Sequence, residues 1–180
     1  MKATGIVRRI DELGRVVIPK EIRRTMRIRE GDPLEIFIDN KNEVVFKKYS
    51  MIGELSGIAN QFSEILNNIS PLPVCITDTE QVIAVAGLSK KEYVGRRISH
   101  ELDKTLLDRN IFIEKNDGGK QIEIADGLTR PAAVIVPIMT GGDVIGSVIY
   151  LTSEEGATAT DAEIKLARSA AEFMGRQTEI

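Results

Sequence analysis

The sequence has little of the chemistry on which metal sites and many enzymes depend. It contains one cysteine, Cys75, and one histidine, His100. A single cysteine excludes an intrachain disulfide and a cysteine-rich zinc site, and a single histidine excludes a multi-histidine metal site. Cys75 lies in an apolar run, which favours packing, and His100 stands near the start of a predicted helix, which favours a surface or capping role. We therefore expect a reduced, cytoplasmic protein without a metal.

Apolar runs long enough for a membrane are also missing. The longest uncharged stretches, such as residues 131–142, are too short to span a bilayer. Lys2, Arg8 and Arg9 place charges at the start of the chain, so no signal peptide is predicted. We expect no association with a membrane.

No familiar set of catalytic residues stands out. Paired carboxylates and a Cys/His set are not found, and the glycine pairs at 118–119 and 141–142 fit hairpin turns better than a phosphate-binding loop. We therefore predict that the protein is not an enzyme, and the sequence identifies no cofactor.

Charge is present in plenty, but it is divided unevenly along the chain. Residues 1–50 hold 12 Lys+Arg and 8 Asp+Glu, a net charge of +4, whereas residues 51–180 hold 12 and 19, a net charge of −7. This division predicts two domains, 1–50 and 51–180, which we call the head and the body. A basic head on an acidic body indicates that the head binds a polyanion.

The most informative stretch of the head is residues 11–29. Gly14 supplies a turn, residues 15–18 read as a strand, and Pro19 ends that strand and suits the first turn of a helix over residues 20–26. Arginines cluster around this short helix. Arginine suits phosphate oxygens and guanine edges, although most charge runs of this kind are only solvated surface.

The rest of the head reads as short strands. Strands are predicted at residues 4–10, 34–38 and 43–48, with turns at 30–33 and 39–42. About 50 residues bury too little apolar surface to be stable alone, and short strands leave open edges. An intertwined dimer would solve both problems and would duplicate the arginine cluster, which suits duplex DNA.

Residues 14–23, GRVVIPKEIR, and residues 31–36, GDPLEI, resemble the signature of the AbrB-type swapped-hairpin DNA-binding family. The resemblance covers the head nearly without gaps. It implies a β-barrel-like dimer in which two chains exchange hairpins, and it implies contacts with double-stranded DNA. The residues that it implicates directly are Arg8, Arg15, Arg23 and Arg24, with Lys2, Arg9 and Lys20 as possible backbone contacts. Arg27 and Arg29 are either solvated or paired with Glu30 and Glu35.

The body begins and ends with a predicted helix. From Ile52 to Ile69 apolar residues recur at spacings of three and four, and Thr160 with Glu163 forms a capping-box pattern before a closing helix with two apolar rows. The opening helix fits packing on its own domain and pairing with a second chain equally well. The two apolar rows favour contact with another subunit as well.

Between these helices the body reads as a sheet. Strands are predicted at residues 73–77, 81–86, 111–114, 121–125, 132–139 and 144–151, with a helix at 101–109. A turn at residues 116–119 would pair the third and fourth of these strands, and the last two are apolar enough to be central. The fold class is therefore α+β.

This order of elements resembles the GAF family of sensor domains, with the best local likeness in the hairpin at 132–151 and the helix after it. The resemblance implies a small-molecule ligand beneath loops at about 88–131, or an empty domain that only mediates assembly. The Asn-Lys…Phe-x-x-x-Asp-Glu pattern of the cyclic-nucleotide subgroup is missing, and the methionine-sulfoxide-reductase subgroup needs several cysteines. A haem would have only His100 as its axial ligand.

Head and body in this order resemble a family of bacterial sporulation regulators. That resemblance implies a cytoplasmic, nucleoid-associated transcription factor that activates and represses sporulation genes. It also implies a homotetramer, built from two head dimers and held together by helices at 51–69 and 160–178. The alternative is an antitoxin-like interaction module whose basic head binds a protein, but an antitoxin tail is short and disordered, whereas the body is patterned to fold.

Overall fold

The computed structural model describes residues 5–114 and 120–178, and the chain divides into two units, Met1–Tyr49 and Ser50–Ile180. Lys2, the start of the strand predicted at 4–10, and the turn predicted at 116–119 lie outside the described residues. The two units are described separately below.

The first unit is built on one helix and one hairpin. Helix α1 is Lys20–Thr25, strand β1 is Leu34–Ile38 and strand β2 is Val44–Lys48. Pro19 precedes the helix with a φ of −59°, so its ring fixes the entry into α1 as predicted. The strands pair antiparallel from Leu34↔Lys48 to Ile38↔Val44. Asp39 shapes the turn between them, because its Oδ1 accepts hydrogen bonds from the amides of Lys41 and Glu43 at 2.8 and 3.0 Å.

The strands predicted at 4–10 and 15–18 do not form within residues 5–18, so that part of the prediction is wrong for the single chain. A strand needs a hydrogen-bonded neighbour, and the described chain offers these residues no ladder. Their apolar side chains consequently face solvent, with Val7 86% exposed and Val17 71% exposed. The apolar residues from which these strands were predicted form surface that one chain cannot bury.

A small group of polar contacts, which we call the polar lock, joins the loop after α1 to strand β2. Lys48 Nζ lies 3.1 Å from Asp32 Oδ2 and donates to the Arg27 carbonyl at 3.2 Å. The amide of Arg29 donates to the same Asp32 oxygen at 2.8 Å. The Lys48 side chain is only 9% exposed, so this ion pair is largely removed from water. Arg27 and Arg29, whose backbone groups take part in these contacts, are half-buried.

The second unit is an antiparallel sheet between two layers of helices and loops. Its elements are α2 (Met51–Glu54), α3 (Ser56–Ile69), β3 (Val74–Asp78), β4 (Val82–Ala86), α4 (Lys90–Tyr93), α5 (His100–Leu107), β5 (Phe112–Ile113), β6 (Ala132–Thr140), β7 (Asp143–Leu151) and α6 (Asp161–Gln177). The strand order is β4-β3-β7-β6-β5. The long apolar strands β6 and β7 lie inside the sheet, as predicted.

Two predictions for the second unit are wrong in detail. The opening helix is interrupted at Leu55, whose φ of −88° and ψ of 22° end α2 before α3 begins, whereas Ser50 Oγ accepts the Gly53 amide at 2.8 Å and caps the start of α2. The predicted pairing of residues 111–114 with 121–125 does not occur. Phe112 and Ile113 pair instead with β6, because the backbone N–H and C=O groups on the outer edge of that strand need hydrogen-bond partners.

Each face of the sheet has its own apolar core. On one face α3 and α6 pack against β3, β6 and β7, with Leu66, Ala167 and Met174 buried. On the other face α5 and the loops around it cover the sheet, with Leu102, Ile122 and Leu128 packed in one cluster with Cys75, Ile135 and Ile149. Among the described residues at 88–131, where a GAF ligand was expected, these side chains pack against the sheet.

Glu163 joins the start of α6 to the end of α3. It closes the predicted capping box, since its carboxylate accepts hydrogen bonds from the Thr160 amide at 2.9 Å and from the Thr160 hydroxyl. Ser70 Oγ donates to its other oxygen at 3.0 Å. Burial alone raises the pKa of Glu163, but the hydrogen bonds from Thr160 and Ser70 outweigh that effect and hold the pKa below its usual value of 4.5.

We expect Glu163→Gln to lower the free energy of unfolding of the second unit by about 1–2 kcal/mol at neutral pH. A depressed pKa stabilises the folded state above about pH 4.5 and stops doing so as the pH falls through the folded value, so the difference from wild type shrinks in acid. Urea unfolding at neutral and at acid pH measures both. Glu172→Gln, which removes an exposed pair with Arg176 on the same helix, is the control and costs little. A difference that stays constant with pH would contradict this role.

Candidate nucleic-acid interface

The first unit exposes all the described side chains that were predicted to contact DNA. Arg8 and Arg9 lie on the extended segment before the first turn, and Arg15 lies at the end of that turn. Lys20, Arg23 and Arg24 lie on α1. The structure therefore carries these cations on three consecutive pieces of chain, while Arg27 and Arg29 are half-buried and contribute backbone groups to the polar lock.

Helix α1 carries cations at both of its ends, but only those in its last turn are favourable for the helix. Arg23 and Arg24 lie in the last turn, where positive charge is favourable beside the carbonyl end of a helix. Lys20 is the first helical residue, where positive charge is unfavourable. Ile22 of the same helix is half-buried. The position of Lys20 gains nothing for the helix, which is consistent with a role outside it.

Asp11 organises the turn that carries Arg15. Its Oδ1 accepts the amides of Leu13 at 3.0 Å and Arg15 at 2.8 Å, and its own amide donates to the Arg15 carbonyl at 3.1 Å. The Gly14 amide donates to the Asp11 carbonyl at 3.0 Å, with Gly14 at a φ of 77°, which favours glycine. Asp11 Oδ2 also accepts from Arg15 Nε at 2.7 Å.

The charge state of Asp11 follows from the same contacts. The hydrogen bonds from the backbone and the side chain of Arg15 lower the pKa of the Asp11 carboxyl. Sequence reasoning read residues 11–14 only as a turn and missed the pairing with Arg15. The available signal was an aspartate placed four residues before an arginine, with a glycine between them.

The described part of the second unit contains an open groove and a buried thiol. An open groove of about 300 Å³ lies between α3 and the chain after β4, lined by Asn67, Gly87 and Leu88 among others, and Lys90 Nζ meets Glu64 Oε1 there at 3.0 Å. Burial raises the pKa of the Cys75 thiol far above its usual value, so Cys75 is a packed side chain. In the described ranges no group of three His, Cys, Asp or Glu side chains could hold a metal ion.

None of the helices within residues 5–114 and 120–178 combines the length and the apolar character that a bilayer crossing requires.

Two family models match the chain, one on each unit. The model described as Stage V sporulation protein T C-terminal, transcription factor, matches residues 54–179. The model described as Antidote-toxin recognition MazE, bacterial antitoxin, matches residues 7–52. The two matched ranges do not overlap.

Two curated proteins of Bacillus subtilis (strain 168) are similar to the chain. Stage V sporulation protein T is 45% identical over 181 residues, which cover 99% of this chain and 99% of that protein. Transition state regulatory protein AbrB is 61% identical over 49 residues, which cover 27% of this chain and 50% of that protein. The second relationship confirms the resemblance of the head to the AbrB type.

The second unit also has a structural relative. The GAF domain/HD domain protein from Geobacter sulfurreducens superposes with a TM-score of 0.55 at 13% identity, over 71% of this chain and 93% of that one. Identity this low shows the fold alone. The superposition confirms the predicted α+β, GAF-like architecture.

Proposed function

Because the chain belongs to the stage V sporulation protein T family of transcription factors, we propose that it regulates sporulation genes, activating some and repressing others, by binding double-stranded DNA through its exposed arginines. The observation that supports this function most directly is the exposure of Arg8, Arg15, Arg23 and Arg24 on a basic unit related to AbrB. The described residues of the first unit include no long recognition helix, so phosphate neutralisation and DNA shape supply most of the affinity. The protein is a regulator and not an enzyme.

The first unit acts as a dimer in this proposal. The side chains of Val7 and Val17 face solvent in the single chain, as do Ile36 and Ile38 of the hairpin. Apolar surface of this extent on so small a unit is typical of a surface that a partner covers. Exchange of hairpins between two copies would bury it and would present the arginines twice.

The second unit gathers two such dimers into a tetramer through α3 and α6. Phe62 and Phe173 join these helices with ring centroids 4.9 Å apart. Phe173 is nevertheless 43% exposed, and Ile65 and Ile69 of α3 are 51% and 63% exposed. The packing of Leu102, Ile122 and Leu128 against the sheet favours assembly over ligand sensing as the main task of this unit. We place the assembly in the cytoplasm, on the nucleoid.

A salt titration of the full chain tests the proposal. Fluorescence anisotropy with an A·T-rich duplex should show an affinity that falls steeply with salt, with a slope of about −0.9 for every phosphate neutralised and so about −5 for the six copies of Arg8, Arg23 and Arg24 in a dimer, the arginines without a carboxylate partner among the described residues. Light scattering on the same samples should give the mass of a tetramer. A flat titration would contradict an electrostatic interface, and a monomer that binds DNA fully would contradict the paired arginines.

The antitoxin-like alternative has one observation in its favour, the match of residues 7–52 to an antitoxin model. That match is confined to the head and its junction with the body. The residues that follow form a five-stranded sheet with two cores instead of a short disordered tail. A head that binds no duplex in the titration would return attention to a protein partner.

A further inference from the structure

We propose that Asp11 is a positioning residue that orients the Arg15 guanidinium for binding guanine. Arg15 then reads sequence in the major groove, while the other three arginines bind phosphates. The proposal rests on the DNA-binding function proposed above and adds to it a source of sequence preference. It begins from one contact, the hydrogen bond from Arg15 Nε to Asp11 Oδ2 at 2.7 Å.

The carboxylate is fixed before it meets the arginine. Asp11 Oδ1 is held by the amides of Leu13 and Arg15, and the backbone of the turn closes on Asp11 through Gly14 and Arg15. A surface ion pair usually gains little, because two mobile side chains must be ordered at once. Here one of the two is already ordered by the turn. Asp11 can therefore direct the guanidinium, although both side chains are exposed.

The position of the contact decides which edge of Arg15 faces a ligand. A guanidinium presents two pairs of parallel N–H groups, one that includes Nε and one formed by the two terminal nitrogens. Asp11 takes the Nε side. The terminal pair lies at the end of a side chain that is 71% exposed. Two parallel donors match the O6 and N7 acceptors of guanine in the major groove.

The negative charge of Asp11 favours guanine over phosphate as the group that Arg15 binds. A phosphate that approaches Arg15 also meets the negative charge of Asp11, which opposes its binding. The edge of guanine has no net charge, so the aspartate does not repel it. The Asp11–Arg15 pair is neutral as a unit and contributes little to counterion release. Among the described residues, Arg15 is the one of the four implicated arginines that pairs with a carboxylate.

Asp11→Asn separates this role from a structural one. Asparagine keeps an Oδ1 that can accept the amides of Leu13 and Arg15, so the turn is preserved. It loses the charge, and its amide donor cannot accept from Arg15 Nε. Full-length wild type, Asp11→Asn and Arg15→Ala would each select duplexes from a random library, and each would be titrated with a wild-type-selected duplex and a scrambled duplex.

We expect wild type to select a guanine that Arg15→Ala no longer selects. Asp11→Asn should bind the scrambled duplex more tightly, with a steeper salt slope, and its preference for the selected duplex should fall about tenfold. Replacing the selected guanine by 7-deazaguanine, which lacks N7, should weaken wild type and leave Arg15→Ala unchanged.

Three results would overturn the inference while leaving DNA binding intact. They are a wild-type selection without an Arg15-dependent guanine, an Asp11→Asn protein that keeps the wild-type preference, and equal losses on both duplexes, which would make Asp11 a structural residue only. Failure of wild type to bind any duplex is a separate result. It would reject the proposed function itself.

Discussion

Alanine at Arg8, Arg15, Arg23 and Arg24 together is expected to lower the affinity of the full chain for its selected duplex by about a thousandfold or more, without unfolding the protein. Each arginine would donate charge-assisted hydrogen bonds, and a dimer loses every contact twice. Single substitutions should cost about tenfold each. The slope of log affinity against log salt should flatten by about two for each phosphate-binding arginine removed from a dimer. Fluorescence anisotropy across a salt series measures both quantities.

The matched control is Arg97→Ala, an exposed arginine on the second unit. It removes the same charge from the chain and should leave affinity and slope unchanged. Equal effects from Arg97 and from the head arginines would show that total charge, and not the first unit, governs binding. Unchanged affinity in all four single variants would reject the site assignment.

The second large effect is expected from a single methyl group on α6. A Cβ added at Gly175 would overlap the carbonyl oxygen of Met139 on β6, and a backbone oxygen cannot turn aside as a flexible side chain can. Glycine to alanine inside a helix normally stabilises it by about 1 kcal/mol. At Gly175 we expect the reverse, a loss of about 3 kcal/mol, because α6 must move off the sheet. Urea unfolding followed by far-UV circular dichroism gives the change.

Gly57→Ala on α3 is the control for this prediction. It is the same substitution in another helix, and a Cβ at Gly57 meets no atom within 4 Å. It should be neutral or should stabilise the second unit by up to about 1 kcal/mol. Similar outcomes at Gly57 and Gly175 would show that the close approach of α6 to β6 carries no cost for a side chain.

The fold could be predicted wherever the information is local. Pro19 marks the start of α1, Thr160 and Glu163 mark the start of α6, and the apolar run around the turn at 141–142 forms β6 and β7. Prediction failed where a strand depends on a distant neighbour. β5 pairs with β6 because of the edge that β6 leaves open, and residues 5–18 form no ladder in one chain.

The candidate site divides in the same way. The exposure of Arg8, Arg23 and Arg24 follows from a short basic helix and its flanks, which the sequence displays directly. The hydrogen bond between Arg15 and Asp11 depends on how a five-residue turn closes. The ion pair between Lys48 and Asp32 joins residues at the two ends of the hairpin. Neither contact follows from spacing alone. The assignment of the arginines to DNA stays a prediction.

The exposed valines of the first unit also bear on how the protein behaves as its amount changes. Under the proposed exchange of hairpins, Val7 and Val17 are buried only after two chains meet. Dilution would then shift the head from the folded dimer toward the unfolded monomer. A newly made chain would be vulnerable to aggregation and proteolysis until it binds a second copy. Folding of the head and binding to promoters would both depend on the concentration of the protein. A modest rise in its synthesis would therefore increase DNA binding sharply.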